Sequence, residues 1–300
     1  MPFWANRFDS CILRTAAVQS VSVAQLDRAF PSEGKGYEFE SHRVHLNVEY
    51  GMTEICRDPI FEETQEILNR LGIEAVLFDL DDTLIYTSEI FIRCMENYAS
   101  QVAKKIGMET SQVMEVMRAI NDEEYKRMGV NPKRWEKVVE KLATQFSHGE
   151  REIIESLDAL MAIYSTIPRI RQGVLGMLKV FKESGVKMVL VTHANVDWTY
   201  FKLDKLGLWD FFDVVVIADE NGHKKSEDWQ RGLDSVATKP QNSLFVGDSL
   251  GGDIRPGHDL GARTVWMPSP WSVYRQGEVP ENTVIINEIT ELLAALRRLE

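Results

Sequence analysis

Residues 75–84 read AVLFDLDDTL, a short apolar run that ends in acids. Such a run suits a strand buried on both faces of a parallel sheet. It would carry Asp79 and Asp81 to the strand's end. Asp79 is suited to attack phosphorus and form an acyl phosphate. Asp81, two residues on, is suited to protonate the leaving oxygen and then to deprotonate the water that hydrolyses the intermediate. Two carboxylates this close repel, and a bound divalent cation relieves that. Magnesium favours oxygen ligands, with few carboxylates and several waters.

Three further segments place polar groups where apolar runs stop. They are Thr192-His193-Ala194, Lys224-Lys225, and Gly247-Asp248-Ser249 with Gly251-Gly252-Asp253 just beyond. Asp248 fits beside Asp79 as a metal ligand, with Asp253 in support. Thr192 has a hydroxyl to donate to a phosphoryl oxygen, and Lys225 has the charge to offset both nucleophile and transferring group. Acids and a lysine buried without a task would be costly.

The elements that must position these groups alternate. From Met52 onward the pattern is a helix at 60–71, a strand at 75–78, then helices and strands from 173 to the end. Strands are expected at 187–191, 214–217, 243–246, 264–267 and 283–286. Helices are expected at 173–182, 197–206, 227–235 and 255–260, with another from about 288. This rhythm implies an α/β fold with a parallel, doubly wound sheet, whose ligands bind beyond the carboxyl ends of the strands. Residues 88–166 are instead amphipathic at helical period throughout, which predicts an inserted all-helical block of about four helices. The core is then 52–87 with 167–300, and the insert 88–166.

A formal net charge of -12 argues against a nucleic-acid surface. An acidic protein still takes an anionic substrate if a divalent cation lies between them. No run of 18 apolar residues is present, so no membrane span is expected. Cys11, Cys56 and Cys94 are too few and too scattered for a disulfide framework or a zinc site, which suits the cytoplasm. Residues 1–51 show no sustained periodicity. Residues 22–45 resemble the peptide obtained when a bacterial tRNA gene is translated, which implies that 1–51 are a non-native or disordered extension ahead of Met52.

DLDDT, VLVTHA, the KKSED lysine region and VGDSLGGD, in this order, resemble motifs I to IV of the haloacid dehalogenase superfamily. The resemblance implies a Rossmann-like core with a helical C1 cap, Asp79 as nucleophile and Asp81 as acid and base. It also implies a magnesium (Mg2+) site from the Asp79 carboxylate, the Asp81 backbone carbonyl and Asp248, with Asp253 assisting. Two positions depart from the pattern. Ser226 follows Lys225 where proline is usual, which leaves Lys224 as an alternative. His193 stands where a small or amidic residue is frequent, and is a candidate for the substrate phosphate or a spectator. Dehalogenase members lack the second motif I aspartate, so Asp81 points to phosphoryl chemistry.

The function expected is hydrolysis of a small phosphomonoester, a phosphorylated metabolite, by a monomer or homodimer. A phosphomutase of the same fold and a receiver-like phosphate-accepting module are the alternatives. A calcium loop is not one, since Leu84 stands where glycine is needed and Ile90 where a bidentate glutamate is needed. Lys133, Arg134, Lys137 and the run Asp122-Glu123-Glu124 are expected on solvated faces. Cys94 is expected to pack as a small hydrophobe.

Overall fold

The apolar runs become interior strands, as their lack of a polar face requires. The computed structural model describes residues 59–146 and 149–299. The chain there begins with α1 (Pro59–Leu71), β1 (Ala75–Phe78) and the short β2 (Ile85–Tyr86). The insert follows: α2 (Ser88–Ile106), α3 (Thr110–Met128), α4 (Lys133–Gln145), α5 (Glu150–Ile154) and α6 (Asp158–Met161), ending in a 3-10 turn at Ala162–Ser165. The chain returns through β3 (Arg169–Ile170), α7 (Val174–Glu183), β4 (Lys187–Thr192), α8 (Val196–Leu206), β5 (Val214–Ile217), α9 (Ser226–Ser235) and β6 (Ser243–Gly247). It closes with α10 (Arg255–Leu260), β7 (Arg263–Trp266), β8 (Val284–Ile285) and α11 (Leu292–Ala295).

Six strands form one sheet in the order β5-β4-β1-β6-β7-β8. Every neighbouring pair is parallel. β1 lies between β4 and β6, with Phe78 in register with Leu190 and Val246. Its side chains alternate between two cores. Val76 and Phe78 join α1, α7 and α11 on one face. Ala75 and Leu77 meet Trp229 and Leu233 of α9 on the other. The expected two-sided burial is therefore present, and the carboxyl ends of β1, β4 and β6 share one edge.

The insert has its own apolar cluster, centred on Tyr98, Val102, Met117, Trp135, Val138 and Leu142. Trp198 of α8 belongs to it too. Cys94 packs there, as expected. The chain leaves and re-enters the core through β2 and β3, which pair antiparallel (Ile85 with Ile170, Tyr86 with Arg169). The Arg169 and Arg171 guanidiniums lie 4.9 and 4.3 Å from the centre of the Tyr86 ring.

Two local expectations are corrected. The last helix of the insert breaks into α5, α6 and the 3-10 turn near Ser156, whose hydroxyl bonds back to the Glu152 carbonyl and accepts from Lys105. The closing helix is likewise reduced to 3-10 turns around α11. The extension at 1–51, with Cys11, lies outside the described residues, as does Cys56. Among the described residues no helix is long and apolar enough to cross a membrane.

Candidate active site

The turn after β1 is tight. The Asp79 amide donates to the Val246 carbonyl, and the amides of Leu84 and Ile85 both reach back to Leu80. Asp82 takes φ 60°, a left-handed conformation that aspartate tolerates better than most residues. Its carboxylate accepts from the Thr87 and Ser88 amides at 3.1 and 2.8 Å, which satisfies donors at the start of α2. The third acid of DLDDT is thus a helix cap, and the first two are left for chemistry.

Asp79 is buried, and each of its oxygens has a donor. Thr83 Oγ1 donates to Oδ2 at 3.0 Å and Lys224 Nζ to Oδ1 at 2.6 Å. The same ammonium lies 2.5 Å from Asp253 Oδ1 and donates to the Val191 carbonyl at 3.1 Å. It rests 5.0 Å from the centre of the Trp229 ring. Asp253 Oδ2 accepts from the Ser249 amide at 2.8 Å. Gly247 must be glycine, because a Cβ there would stand 2.3 Å from that oxygen.

The lysine expectation is corrected. Lys224, not Lys225, reaches the carboxylates. The segment is extended at Lys225 (φ -131°, ψ 171°), so adjacent side chains take opposite sides. Lys225 is exposed at the start of α9, where its amide donates to Asp228 Oδ2 at 2.9 Å.

One oxygen each from Asp79, Asp248 and Asp253 lies within 4.8 Å of the others, and all three residues are buried. Lys224 offsets only part of that charge. Burial first, then the Asp79 and Asp253 charges, push the Asp248 carboxyl well above the ordinary range. Burial raises Asp79 to about 7, against the pull of Lys224. Burial works against the Lys224 ammonium, but Asp253 and Asp79 outweigh it and hold it charged. An all-oxygen donor set with surplus negative charge fits a hard divalent cation such as magnesium.

Thr192, at the end of β4, is fully buried, and its hydroxyl has no hydrogen-bond partner among the described residues. It is free to donate. His193 is neutral here: burial, then the Lys224 charge and His223, lower it to about 4. Its Nε2 is buried without a partner, so a neutral imidazole is what a phosphate would meet.

Asp81 stands apart from the three clustered carboxylates. Thr87 Oγ1 donates to its Oδ1 at 2.5 Å. Lys202 Nζ of α8 donates to Oδ1 and Oδ2 at 2.6 and 2.8 Å. Strand-end reasoning misses Lys202, because it comes from the middle of a helix. The available signal was a lysine four residues after Trp198, on the apolar face of that helix.

The insert reaches this edge through the turn between α3 and α4. The Val130 amide donates to the Glu220 carbonyl, and Asn131 Nδ2 donates to Glu220 Oε1 and Asn221 Oδ1 at 3.3 and 2.7 Å. Arg134, expected in solvent, is buried. It donates to the Gly129 carbonyl and lies 5.3 Å from the centre of the Tyr125 ring, and the Tyr125 hydroxyl meets Tyr274 at 3.0 Å. Lys133 and Lys137 are exposed, as expected. Glu124 is a second correction: it is buried and paired with Lys141 at 2.6 Å and Arg127 at 3.2 Å.

A family model for haloacid dehalogenase-like hydrolases matches residues 76–267. The glyceraldehyde 3-phosphate phosphatase of Methanocaldococcus jannaschii is 25% identical over 232 residues, 76% of this chain and 99% of that protein. A haloacid dehalogenase-like family hydrolase from Xanthomonas campestris shares the fold with a TM-score of 0.62 at 18% identity, over 76% of this chain and 92% of that one. YfnB from Bacillus subtilis, solved bound to magnesium, gives a TM-score of 0.57 at 18% identity, over 75% and 99%.

Proposed function

The chain belongs to the haloacid dehalogenase-like hydrolase family, and on that premise we propose that it is a magnesium-dependent phosphatase acting through an aspartyl-phosphate at Asp79. It is a hydrolase of phosphoric monoesters. The observation that carries the mechanism is the division of the two acids of DLDDT. Asp79 sits buried against Lys224 and Thr83, while Asp81 is held separately by Thr87 and Lys202.

The Asp79 carboxylate attacks phosphorus as the bond to the leaving oxygen breaks. Asp81 gives that oxygen its proton, leaving as products a free alcohol and an acyl phosphate. Water then attacks the acyl phosphate, Asp81 takes its proton, and Asp79 is released with inorganic phosphate. The Lys224 ammonium, bonded to Asp79, Asp253 and the Val191 carbonyl, offsets the charge of the transferring group, and the Thr192 hydroxyl is a preorganised donor for its oxygens. Asp79, Asp248, Asp253 and the Asp81 backbone carbonyl would hold magnesium, which supplies charge neutralisation at the phosphoryl group. His193 borders the phosphate as a neutral group.

The helical insert serves as the cap, excluding bulk water and facing the leaving group. The substrate is a small phosphorylated metabolite. The named activity of the Methanocaldococcus jannaschii relative puts glyceraldehyde 3-phosphate first in a panel with phosphoglycolate, other sugar phosphates and nucleoside monophosphates. The deciding test is Asp79→Asn. It should abolish magnesium-dependent release of phosphate from p-nitrophenyl phosphate while thermal unfolding stays cooperative. A variant with the parent's rate would refute the aspartyl-phosphate.

A further inference from the structure

Lys202 of α8 is fully buried and takes no part in the bond-making steps. Lysine is almost never fully buried unless paired. Its ammonium donates to both oxygens of Asp81, at 2.6 and 2.8 Å, and lies 4.2 Å from the centre of the Trp198 ring. The partner carboxylate is not buried with it, because the Asp81 side chain is 21% exposed. Desolvating an ammonium costs several kcal/mol, and an apolar pair in place of both charges would serve folding as well or better. Stability therefore does not account for an ion pair at this position.

We infer that Lys202 is the positioning residue of the acid–base aspartate: it fixes the Asp81 carboxyl at the place from which a proton reaches the leaving oxygen. This rests on the aspartyl-phosphate reading of the site. An aspartate just beyond a strand has several rotamers, and only one that places its oxygen within hydrogen-bond reach of the leaving group is productive. With Lys202 on both oxygens and Thr87 on one, the carboxylate's alternatives are removed before substrate arrives. When Asp81 carries the proton it delivers, the protonated Oδ2 gives up its bond from Lys202, and the bonds to Oδ1 from Lys202 and Thr87 keep it in place.

The location of Lys202 adds a second point. Trp198, one turn earlier on α8, donates from Nε1 to the Thr166 carbonyl at 3.1 Å. Its ring meets Phe91 and Tyr164 of the insert at centroid distances of 5.9 and 5.5 Å. Thr87 lies at the insert's entry and Thr166 near its exit. The groups that hold Asp81 thus border both connections of the insert, Thr87 directly and Lys202 through Trp198 on the same helix.

The test reads kcat/KM, which stops at phosphoenzyme formation, against leaving-group basicity. 2,4-Dinitrophenyl phosphate needs no general acid, whereas β-glycerol phosphate does. Lys202→Met should lose less than about 3-fold on the first and about 30-fold or more on the second. In an Asp81→Asn background, Lys202→Met should cost β-glycerol phosphate hydrolysis nothing further. That double variant also removes both charges of the pair, so it keeps the test open if the single variant unfolds. Equal losses on both esters, or a further loss in the Asp81→Asn background, would overturn the role of Lys202 and leave the phosphatase reading standing. A parent chain that hydrolyses neither ester would remove both.

Discussion

Burial raises the Asp79 carboxyl to about 7, and Lys224 is what keeps it from rising further. Each Asp79 oxygen has one donor, and the lysine is shared with Asp253. Removing that ammonium strands two buried carboxylates. Lys224→Met should lower phosphatase activity about 100-fold or more and stability by about 3 kcal/mol. Lys225→Ala should keep the parent's rate within about 2-fold, since its side chain lies in solvent. Steady-state rates and urea unfolding of both variants check this pair. Asp79, Thr192, Asp248 and Asp253 were legible from sequence because each ends or follows an apolar run, and the parallel sheet brings such ends to one edge. The choice between Lys224 and Lys225 was not legible, since it turns on the phase of an extended segment whose register only the start of α9 sets. Thr83 lay in plain view within DLDDT, but its bond to Asp79 depends on how the turn folds.

At the level of elements, the turn between α3 and α4 fastens the insert to the loop that carries Lys224. Gly129 has φ 58° and ψ -131°, a conformation open to glycine almost alone. A Cβ there would stand 2.5 Å from both the Glu220 and the Gly222 carbonyl oxygens. Gly129→Ala should therefore push the turn off the loop. Activity should fall by about 10-fold or more, with a stability loss of about 1–3 kcal/mol. Rates measured beside a thermal melt separate the two effects. The strands and long helices of this scheme followed from periodicity, because burial on two faces or one stripe leaves a clear pattern. The short α5 and α6 did not, since a break at Ser156 arises from a side chain returning to the backbone. Arg134 and Glu124 escaped for a similar reason: both are charged residues made buriable by partners that sequence spacing does not announce.

The response of the whole molecule to acid follows from groups that folding shifts. His193 titrates at 6.5 when unfolded and at about 4 when folded. Its folded value is lowered, so the unfolded chain binds more protons between those limits. Its contribution to stability is unaffected above pH 6.5 and falls as the pH drops through that window, by at most about 3 kcal/mol. Asp79 and Asp248 act in the opposite sense, because burial raises their carboxyls and the folded state then takes up protons first. Only a difference isolates the histidine. His193→Asn should gain stability on the parent as the pH falls from 6.5 to 4, followed by urea unfolding at several pH values; a constant difference would show that the imidazole is not shifted.

The paired strands β2 and β3 have a consequence for how such a molecule can vary. They clamp the two ends of the insert side by side, one backbone pairing apart. To the sheet, everything between them is one hairpin loop. The entropy of closing a loop grows only with the logarithm of its length, about 0.6 kcal/mol for each doubling. A lineage could therefore change the length of the roof of this site at little cost in closure entropy, provided Trp198 and the Glu220 loop keep their contacts. Reaction and recognition would then be inherited separately, from one chain, through a joint four residues wide.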